Sequence, residues 1–254
     1  MNIIMMTNTY KPFVGGVPRS VETFSEEYRN HGHSVLIIAP EFENMEENEE
    51  DVLRVPAIQH FNGSDFSLPI PVGGMLAAAI EKFKPDIIHS HHPYLIGDMA
   101  FRMASKINVP LVFTYHTQYE KYTHYVPADS EALKRFVIAL SVGYANLCDT
   151  VFAPSESLAD IIRGRGVESP IEIVPTGVDI EWYKTGDKSR FRKELNIDEK
   201  AVVIGFVSRL APEKNTDFLA QVVSSFMRKH NNSHFLLVGN GPSETSVQNI
   251  FTKN

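Results

Sequence analysis

Short apolar runs alternate along this chain with segments whose apolar residues recur at helical spacing. The clearest run is Ala201–Val207, AVVIGFV, which has no polar face. A continuous run of this length is typical of a parallel strand that is buried on both faces. The segment after it, Thr216–Lys229, places Phe218, Val222 and Phe226 on one side of a predicted helix.

The same alternation extends over most of the chain and predicts an α/β fold with a doubly wound parallel sheet. The predicted strands are Asn2–Met6, His33–Ala39, Asp51–Pro56, Asp86–Ser90, Val109–Thr114, Thr150–Ala153, Ile171–Val174, Ala201–Val207 and Ser233–Val238. The predicted helices are a segment from Pro18 to just before Gly32, Gly74–Phe83, Tyr94–Lys106, a segment starting at Thr117, Ala132–Leu147, Ser157–Arg163 with Ser157 and Asp160 as capping pair, Ser189–Leu195 and Thr216–Lys229.

A polar stretch from Trp182 to Lys200 separates two parts of this pattern. We therefore expect a first domain over residues 1–186, a linker over 187–200 and the beginning of a second Rossmann-like domain over 201–254. A βαβ unit of about fifty residues is small for an independently stable domain.

The composition of the chain indicates which kinds of binding partner and which compartment to expect. The net charge of −7 comes from Glu41–Asp51, which holds seven acidic residues and no basic one, and which we expect to be a solvated loop. No basic footprint for nucleic acid is present. The single Cys148 fits a reducing compartment, and the N-terminus lacks the features of a signal peptide. No apolar stretch has the length of a membrane span. We expect a cytoplasmic protein whose membrane contact would be peripheral, at the inner face.

Two loops carry candidate anion-binding groups. Gly15 and Gly16 lie between the first strand and first helix, where backbone N–H groups can approach a ligand. A tight structural turn explains these glycines equally well. Arg209 and Lys214 lie between the strand at Ala201–Val207 and the next helix. Two cations at a helix start oppose the helix dipole, which favours a phosphate site over surface charge.

Histidines and tyrosines supply further candidates. His89, His91 and His92 suggest a metal site, but they have no Cys or carboxylate partners and alternate in direction along a strand. We expect no metal site and place one histidine at the cleft. In the segment 114–127, Thr117 and Glu120 form a predicted capping box, with His116 just before it. The neighbouring tyrosines form one stripe if they are helical, either a half-buried face or a contact for an amphipathic acceptor: Tyr115, Tyr119, Tyr122 and Tyr125.

These motifs, in this order, resemble the retaining GT-B glycosyltransferases of family 4. The similarity covers nearly the whole chain, from Gly15–Val17 through Tyr115–Thr117 and Pro175–Asp179 to Ser208–Asn215, SRLAPEKN. The resemblance implies two Rossmann-like domains facing each other across a cleft. It also implies transfer of a hexose from a UDP- or GDP-sugar, with retention, to a lipid or sugar hydroxyl. The segment 114–127 is most similar to bacterial enzymes that glycosylate diacylglycerol.

The resemblance also implies roles for individual residues. His116 is expected beside the transferred sugar, and Gly15, Gly16, Arg209 and Lys214 at the donor diphosphate. Apart from the resemblance, the dipole of the helix predicted to start at Thr117 is expected to keep His116 neutral, so that it accepts a hydrogen bond from a sugar hydroxyl. No cofactor is expected beyond the substrate nucleotide sugar, and no carboxylate pair is available to hold a bridging metal ion. Acceptor contacts are expected at Tyr10, Arg19, His91, Tyr119 and Tyr122, with peripheral contact to an anionic membrane.

The sequence departs from this family in two ways. Family members usually continue for well over a hundred residues, with a Glu-x7-Glu motif and a base pocket that lie outside these 254 residues. The Asn that commonly precedes Gly-Val-Asp is Thr176 here. The chain is therefore either a fragment of an enzyme or a truncated homologue with a binding or regulatory role. A nucleotide-sugar epimerase of similar fold is a third alternative.

Overall fold

The computed structural model describes residues 1–47, 49–60, 67–70, 73–125 and 129–252. The end of the predicted tyrosine segment, residues 126–128, lies outside them, as does the side chain of Tyr125. The described chain divides into two compact units, Met1–Val178 and Asp179–Asn254.

The first unit is built on a parallel sheet, which confirms the predicted fold class. Among the described residues this sheet has seven strands, namely β1 (Asn2–Met6), β2 (Ser34–Pro40), β3 (Val52–Val55), β6 (Ile87–Ser90), β7 (Leu111–Thr114), β8 (Thr150–Ala153) and β9 (Ile171–Ile173). Across the sheet they follow the order β3-β2-β1-β6-β7-β8-β9. Two further short strands, β4 (Ala57–Ile58) and β5 (Leu68–Pro69), follow β3 in the chain and pair with each other in antiparallel orientation.

Helices connect these strands and cover both faces of the sheet. They are α1 (Gly16–Asn30), α2 (Gly73–Phe83), α3 (Ile96–Ile107), α4 (Glu131–Ala145) and α5 (Glu156–Gly164). The larger core cluster contains Ile4, Phe113 and Ile162 on one face, and a smaller cluster contains Ile3, Val21 and Ile37 on the other. Successive residues of β1 thus belong to opposite cores, which is the expected consequence of strand geometry.

The second unit contains α6 (Ile180–Lys184), α7 (Lys188–Glu194), β10 (Val202–Val207), α8 (Thr216–Lys229), β11 (Ser233–Val238) and α9 (Glu244–Thr252). β10 and β11 pair in parallel, and their register runs from Val202 with Ser233 to Val207 with Val238.

The expectation that β10 is buried on both faces was wrong. Val202 and Val207 are 49% and 79% exposed. Two strands are present in this sheet among the described residues, and the helices of the unit cover only part of it. An apolar run indicates that a strand is suited to burial, while the number of neighbouring elements decides how much of it is covered.

Candidate active site

The candidate site lies where the strand order reverses. β1 pairs with β2 on one side and β6 on the other, so the loops after β1 and β6 leave the sheet in the middle of its carboxyl edge. In open α/β sheets this is where ligands bind. The loop after β1 leads to Gly15 and Gly16, and the loop after β6 begins with His91 and His92.

Four histidines meet at this edge. The rings of His89 and His91 are in contact, with centroids 4.1 Å apart and planes inclined by 34°. The Nδ1 of His91 lies 2.9 Å from the Nε2 of His116, which follows β7. The Nε2 of His89 lies 2.7 Å from the hydroxyl of Thr114. His92 points the other way, and its Nδ1 accepts a hydrogen bond of 3.1 Å from the backbone N–H of Asn8. The alternation predicted for this strand end is therefore confirmed.

Burial keeps these rings neutral. It lowers the pKa of His89 and of His92 to about 3, with a smaller contribution from His116 in each case. Burial also lowers the pKa of His116 to about 4 and that of His91 well below its ordinary value. The expectation of a neutral His116 rested on a helix dipole, but the physical cause is the low dielectric around the ring.

His116 also borders a cavity of about 340 Å³ at the same edge. Thr117, Lys121 and Tyr122 form one side of it, and the start of α5, with Ser157 and Leu158, forms another. Hydroxyl groups, one ammonium group and an apolar patch are thus arranged around the imidazole. Such a lining suits a ligand with hydroxyls on an apolar body.

The segment after His116 differs from the prediction. It forms a 3-10 helix over Tyr119–Tyr125 instead of an α-helix capped by Thr117. Glu120 does not complete the predicted capping box, because its carboxylate accepts a hydrogen bond of 2.7 Å from Arg165, which follows α5. This ion pair joins the segment to the end of α5, and both side chains are largely shielded from solvent.

The three tyrosines of this segment whose side chains are described, Tyr115, Tyr119 and Tyr122, do not form one stripe. Tyr115 is fully buried at the end of β7, and its hydroxyl, like that of Tyr119, lacks a hydrogen-bond partner among the described residues. Tyr119 packs edge-on against Tyr94 at 5.2 Å, whereas Tyr122 lines the cavity with His116. Tyr119 and Tyr122 thus face different surroundings.

The glycine turn begins α1. Gly15 is the residue before the helix and has an extended backbone. A Cβ at Gly15 would lie 3.2 Å from the ring of Phe13, whereas a Cβ at Gly16 would meet nothing within 4 Å. Packing among the described residues therefore does not require a glycine at position 16.

Of the remaining acceptor candidates in the first unit, Tyr10 and Arg19 lie away from His116, and His91 lies against it. Tyr10 is 6% exposed beneath the guanidinium of Arg54 and borders a separate cavity near the acidic stretch. Arg19 is largely exposed and donates to Glu22 at 2.7 Å. His91 is completely buried behind His116. Arg54 also pairs with Glu49, so the acidic stretch is not wholly solvated as expected.

In the second unit, Arg209 and Lys214 lie between β10 and α8, as predicted. The side chains of both reach solvent, and an Nη2 of Arg209 donates to the carboxylate of Glu213 at 2.5 Å. Gly239 and Gly241 allow the loop after β11 to lie against the segment that follows β10. A Cβ at Gly239 would lie 1.9 Å from the carbonyl oxygen of Ser208, and a Cβ at Gly241 would lie 2.3 Å from that of Leu210. The sequence signal for this approach is the Gly-Asn-Gly-Pro turn.

Two further contacts were not predicted. The hydroxyl of Thr176 lies 3.1 Å from that of Ser20 and ties the loop after β9 to α1. The cap of α5 is Ser155, whose hydroxyl accepts from the N–H of Leu158, so the prediction of Ser157 as the cap was wrong. Both serines fit a cap in the sequence, and the point at which the chain leaves β8 decides between them.

No group of three or more His, Cys, Asp or Glu side chains in the described part of the chain is arranged to hold a metal ion. Within the same residues, none of the helices is both long and apolar enough to cross a membrane.

Sequence and structure comparisons agree with this architecture. Over 248 residues the chain is 25% identical to an alpha-monoglucosyldiacylglycerol synthase of Streptococcus pneumoniae, covering 95% of this chain and 56% of that protein. It is 25% identical to a GDP-mannose-dependent alpha-mannosyltransferase of Corynebacterium glutamicum, covering 98% of this chain and 60% of the relative. The chain thus spans less than two thirds of the length of these relatives.

Solved structures share the fold. The structure of Anabaena HepE, in complex with UDP and glucose, matches all of this chain and 65% of its own with a TM-score of 0.68 and 17% identity. The family model described as Glycosyltransferase Family 4 matches residues 14–182, and the model described as Glycosyl transferases group 1 matches residues 187–253. With a GT-B arrangement of strands and these two matches, the chain belongs to the family 4, group 1 glycosyltransferases.

Proposed function

We propose that this chain acts in a retaining glycosyltransferase that moves a hexose from a UDP- or GDP-sugar to a lipid or sugar hydroxyl. The observation that carries the proposal is the His116 imidazole, which burial keeps neutral beside a 340 Å³ cavity at the carboxyl edge of the sheet. Family membership supports the reaction class, and the relatives that act on diacylglycerol or use GDP-mannose support the substrate classes.

In this proposal the donor is held at its diphosphate. In the first unit, the N–H groups at the start of α1, next to Gly15 and Gly16, are proposed contacts of the diphosphate. In the second unit, Arg209 and Lys214 are the proposed cations that offset its negative charge. The side chain of Arg209 also donates to Glu213 at 2.5 Å, and its position between β10 and α8 supports the diphosphate role. No step requires a metal ion when fixed cations stabilise the leaving diphosphate.

The transfer exchanges one carbon–oxygen bond for another. The bond from the anomeric carbon to the diphosphate oxygen breaks, and a bond from that carbon to the acceptor oxygen forms on the same face. The proton of the acceptor hydroxyl passes to the departing diphosphate. A neutral His116 contributes a hydrogen bond to the hexose that orients the anomeric carbon, and it adds no positive charge next to an electron-poor carbon.

The acceptor side fits an amphipathic molecule. Tyr122 and Lys121 border the cavity, and α4 follows 119–125 in the chain with Phe136 and Leu140 58% and 44% exposed. Lys134 lies on the same helix in an ion pair with Glu131. An exposed apolar helix face beside basic groups is suited to shallow contact with a lipid surface. Tyr10, Arg19 and Tyr119 remain proposed acceptor contacts.

The test is His116→Ala, compared with the exposed surface control His31→Ala. Transfer of labelled hexose to diacylglycerol or a sugar acceptor should fall by roughly 10²-fold in kcat, because a positioned catalytic group is removed. Affinity for UDP or GDP, measured by calorimetry, should be unchanged because the phosphates are held elsewhere.

Other outcomes of these measurements would give His116 a different role or the chain a different function. Near-normal turnover would remove His116 from the mechanism, and a parallel loss of nucleotide affinity would move it to the phosphate site. Nucleotide binding without transfer by a chain that includes the Glu-x7-Glu region would favour the non-catalytic alternative, and a changed sugar without transfer would favour an epimerase.

A further inference from the structure

Building on the role proposed for His116, we propose that His91 is the positioning residue of the site. Its Nδ1–H donates to the Nε2 of His116 and thereby holds His116 as the Nδ1–H tautomer. His91 was expected to touch the acceptor, but its complete burial makes direct contact with a substrate unavailable in this arrangement.

The geometry gives His116 one ring nitrogen that is engaged inside the protein. The Nδ1 of His91 and the Nε2 of His116 are 2.9 Å apart, within the range of a nitrogen–nitrogen hydrogen bond, and the two ring planes are inclined by 18°. The Nδ1 of His116 is thus the ring nitrogen left for a ligand in the cavity that the residue borders.

His91 is itself held on two sides. Its ring packs against His89 with centroids 4.1 Å apart and planes inclined by 34°, and the ring centroid of Phe24 of α1 lies 6.3 Å away. His89 is anchored in turn by Thr114 at 2.7 Å. The imidazole of His91 therefore has little freedom to rotate, and the hydrogen bond that it makes can orient His116.

The direction of this hydrogen bond follows from the other nitrogen of His91. Its Nε2 is buried and has no hydrogen-bond partner among the described residues. If His91 accepted from His116, the proton of His91 would sit on that Nε2 as a buried N–H without an acceptor. Unpaired buried N–H groups are rarer than unpaired acceptors in proteins. His91 therefore carries its proton on Nδ1 and donates it to His116.

The tautomer of His116 determines whether it donates or accepts a hydrogen bond in the cavity. With Nε2 accepting, neutral His116 carries its proton on Nδ1 and is a hydrogen-bond donor towards the cavity. It would then donate to an oxygen of the transferred sugar, whereas the sequence led us to expect that it accepts from a sugar hydroxyl. A donor at this point also stabilises negative charge on an oxygen, which an acceptor does not.

The direct test is long-range proton–nitrogen NMR on the uniformly ¹⁵N-labelled 254-residue chain at neutral pH. His116→Gln identifies the His116 signals. We expect Nδ1 at the position of a protonated ring nitrogen and Nε2 at that of an unprotonated one. His91→Phe keeps a ring in the stack but removes the donor, so both signals should shift towards the Nε2–H tautomer that free imidazole side chains favour in water.

His91→Asn is the matched variant, because its amide nitrogen takes the place of Nδ1 and can donate. It should restore the Nδ1–H pattern of His116. An Nε2–H pattern in the unmodified chain, or a pattern that does not respond to His91→Phe, would overturn the proposal. The measurement on the unmodified chain decides the tautomer even if His91→Phe does not fold.

Kinetics separate positioning from packing. In a chain that transfers hexose, His91→Phe should lower kcat by roughly 10- to 100-fold, the range for a misplaced reacting group, with the KM for donor unchanged. His91→Asn should recover most of this loss. Absence of transfer in a chain that includes the Glu-x7-Glu region would contradict the proposed function and leave the tautomer result valid, whereas a normal kcat in a folded His91→Phe variant would overturn the positioning role.

Discussion

Gly97 allows α3 to lie close to the backbone of His92 in the loop after β6. The variant Gly97→Ala tests how closely the helix and this loop pack together. A Cβ at Gly97 would lie 1.8 Å from the carbonyl oxygen of His92 and 2.7 Å from its carbon. Side-chain Cβ atoms essentially never come within 3.0 Å of such atoms, so α3 and the loop after β6 must separate by about 1.2 Å at this point.

The magnitude follows from three contributions. Overpacking a close contact costs about 1–3 kcal/mol. The separation also strains the hydrogen bond of 2.9 Å from the hydroxyl of Tyr144 to the carbonyl of Gly97, worth about 0.5–1.5 kcal/mol. The higher helix propensity of alanine offsets at most about 1 kcal/mol. We therefore expect Gly97→Ala to lower the free energy of unfolding by about 2 kcal/mol.

The assay is thermal and urea unfolding followed by circular dichroism. For a unit of the size of Met1–Val178 a loss of 2 kcal/mol corresponds to a Tm lower by roughly 4–8 °C. Gly143→Ala is the matched control, since Gly143 lies in α4 with nothing within 4 Å of its Cβ position. It should raise stability by about 0.5–1 kcal/mol. A Gly97→Ala variant as stable as Gly143→Ala would refute the close approach of α3.

The remaining predictions concern the proposed ligands. Arg209→Ala should weaken nucleotide diphosphate binding in calorimetry by roughly tenfold or more, since a charge-assisted hydrogen bond contributes about 1.5–3 kcal/mol, while the exposed control Lys229→Ala should not. Gly16→Val should reduce hexose transfer with little change in Tm, because its Cβ meets no protein atom; Gly74→Val in the first turn of α2 should leave transfer intact. Liposome sedimentation should show binding to anionic vesicles that weakens with salt, since each basic residue of the α4 region contributes about 1 kcal/mol near the surface; equal binding to neutral vesicles would contradict it.

Hydrophobic patterning by itself determined the fold class and most of the element boundaries. β1, α8 and β11 begin and end at the predicted residues, because apolar runs and helical spacing are local properties of the chain. The positions of Arg209 and Lys214 between a strand and a helix also followed from the sequence. The motifs in order were sufficient to identify the family.

Only the tertiary structure decided which groups meet. The pairing of Glu120 with Arg165, 45 residues later, displaced a capping box that local sequence favours, because a long-range ion pair competes for the same carboxylate. The contact between His91 and His116 joins the ends of two adjacent strands, and sheet order, which the pattern does not specify, brings them together. The extent of burial is likewise a property of the assembled fold. β10 is partly exposed because few elements cover it. The histidines are buried and therefore neutral, since the dielectric around a side chain depends on every element packed against it.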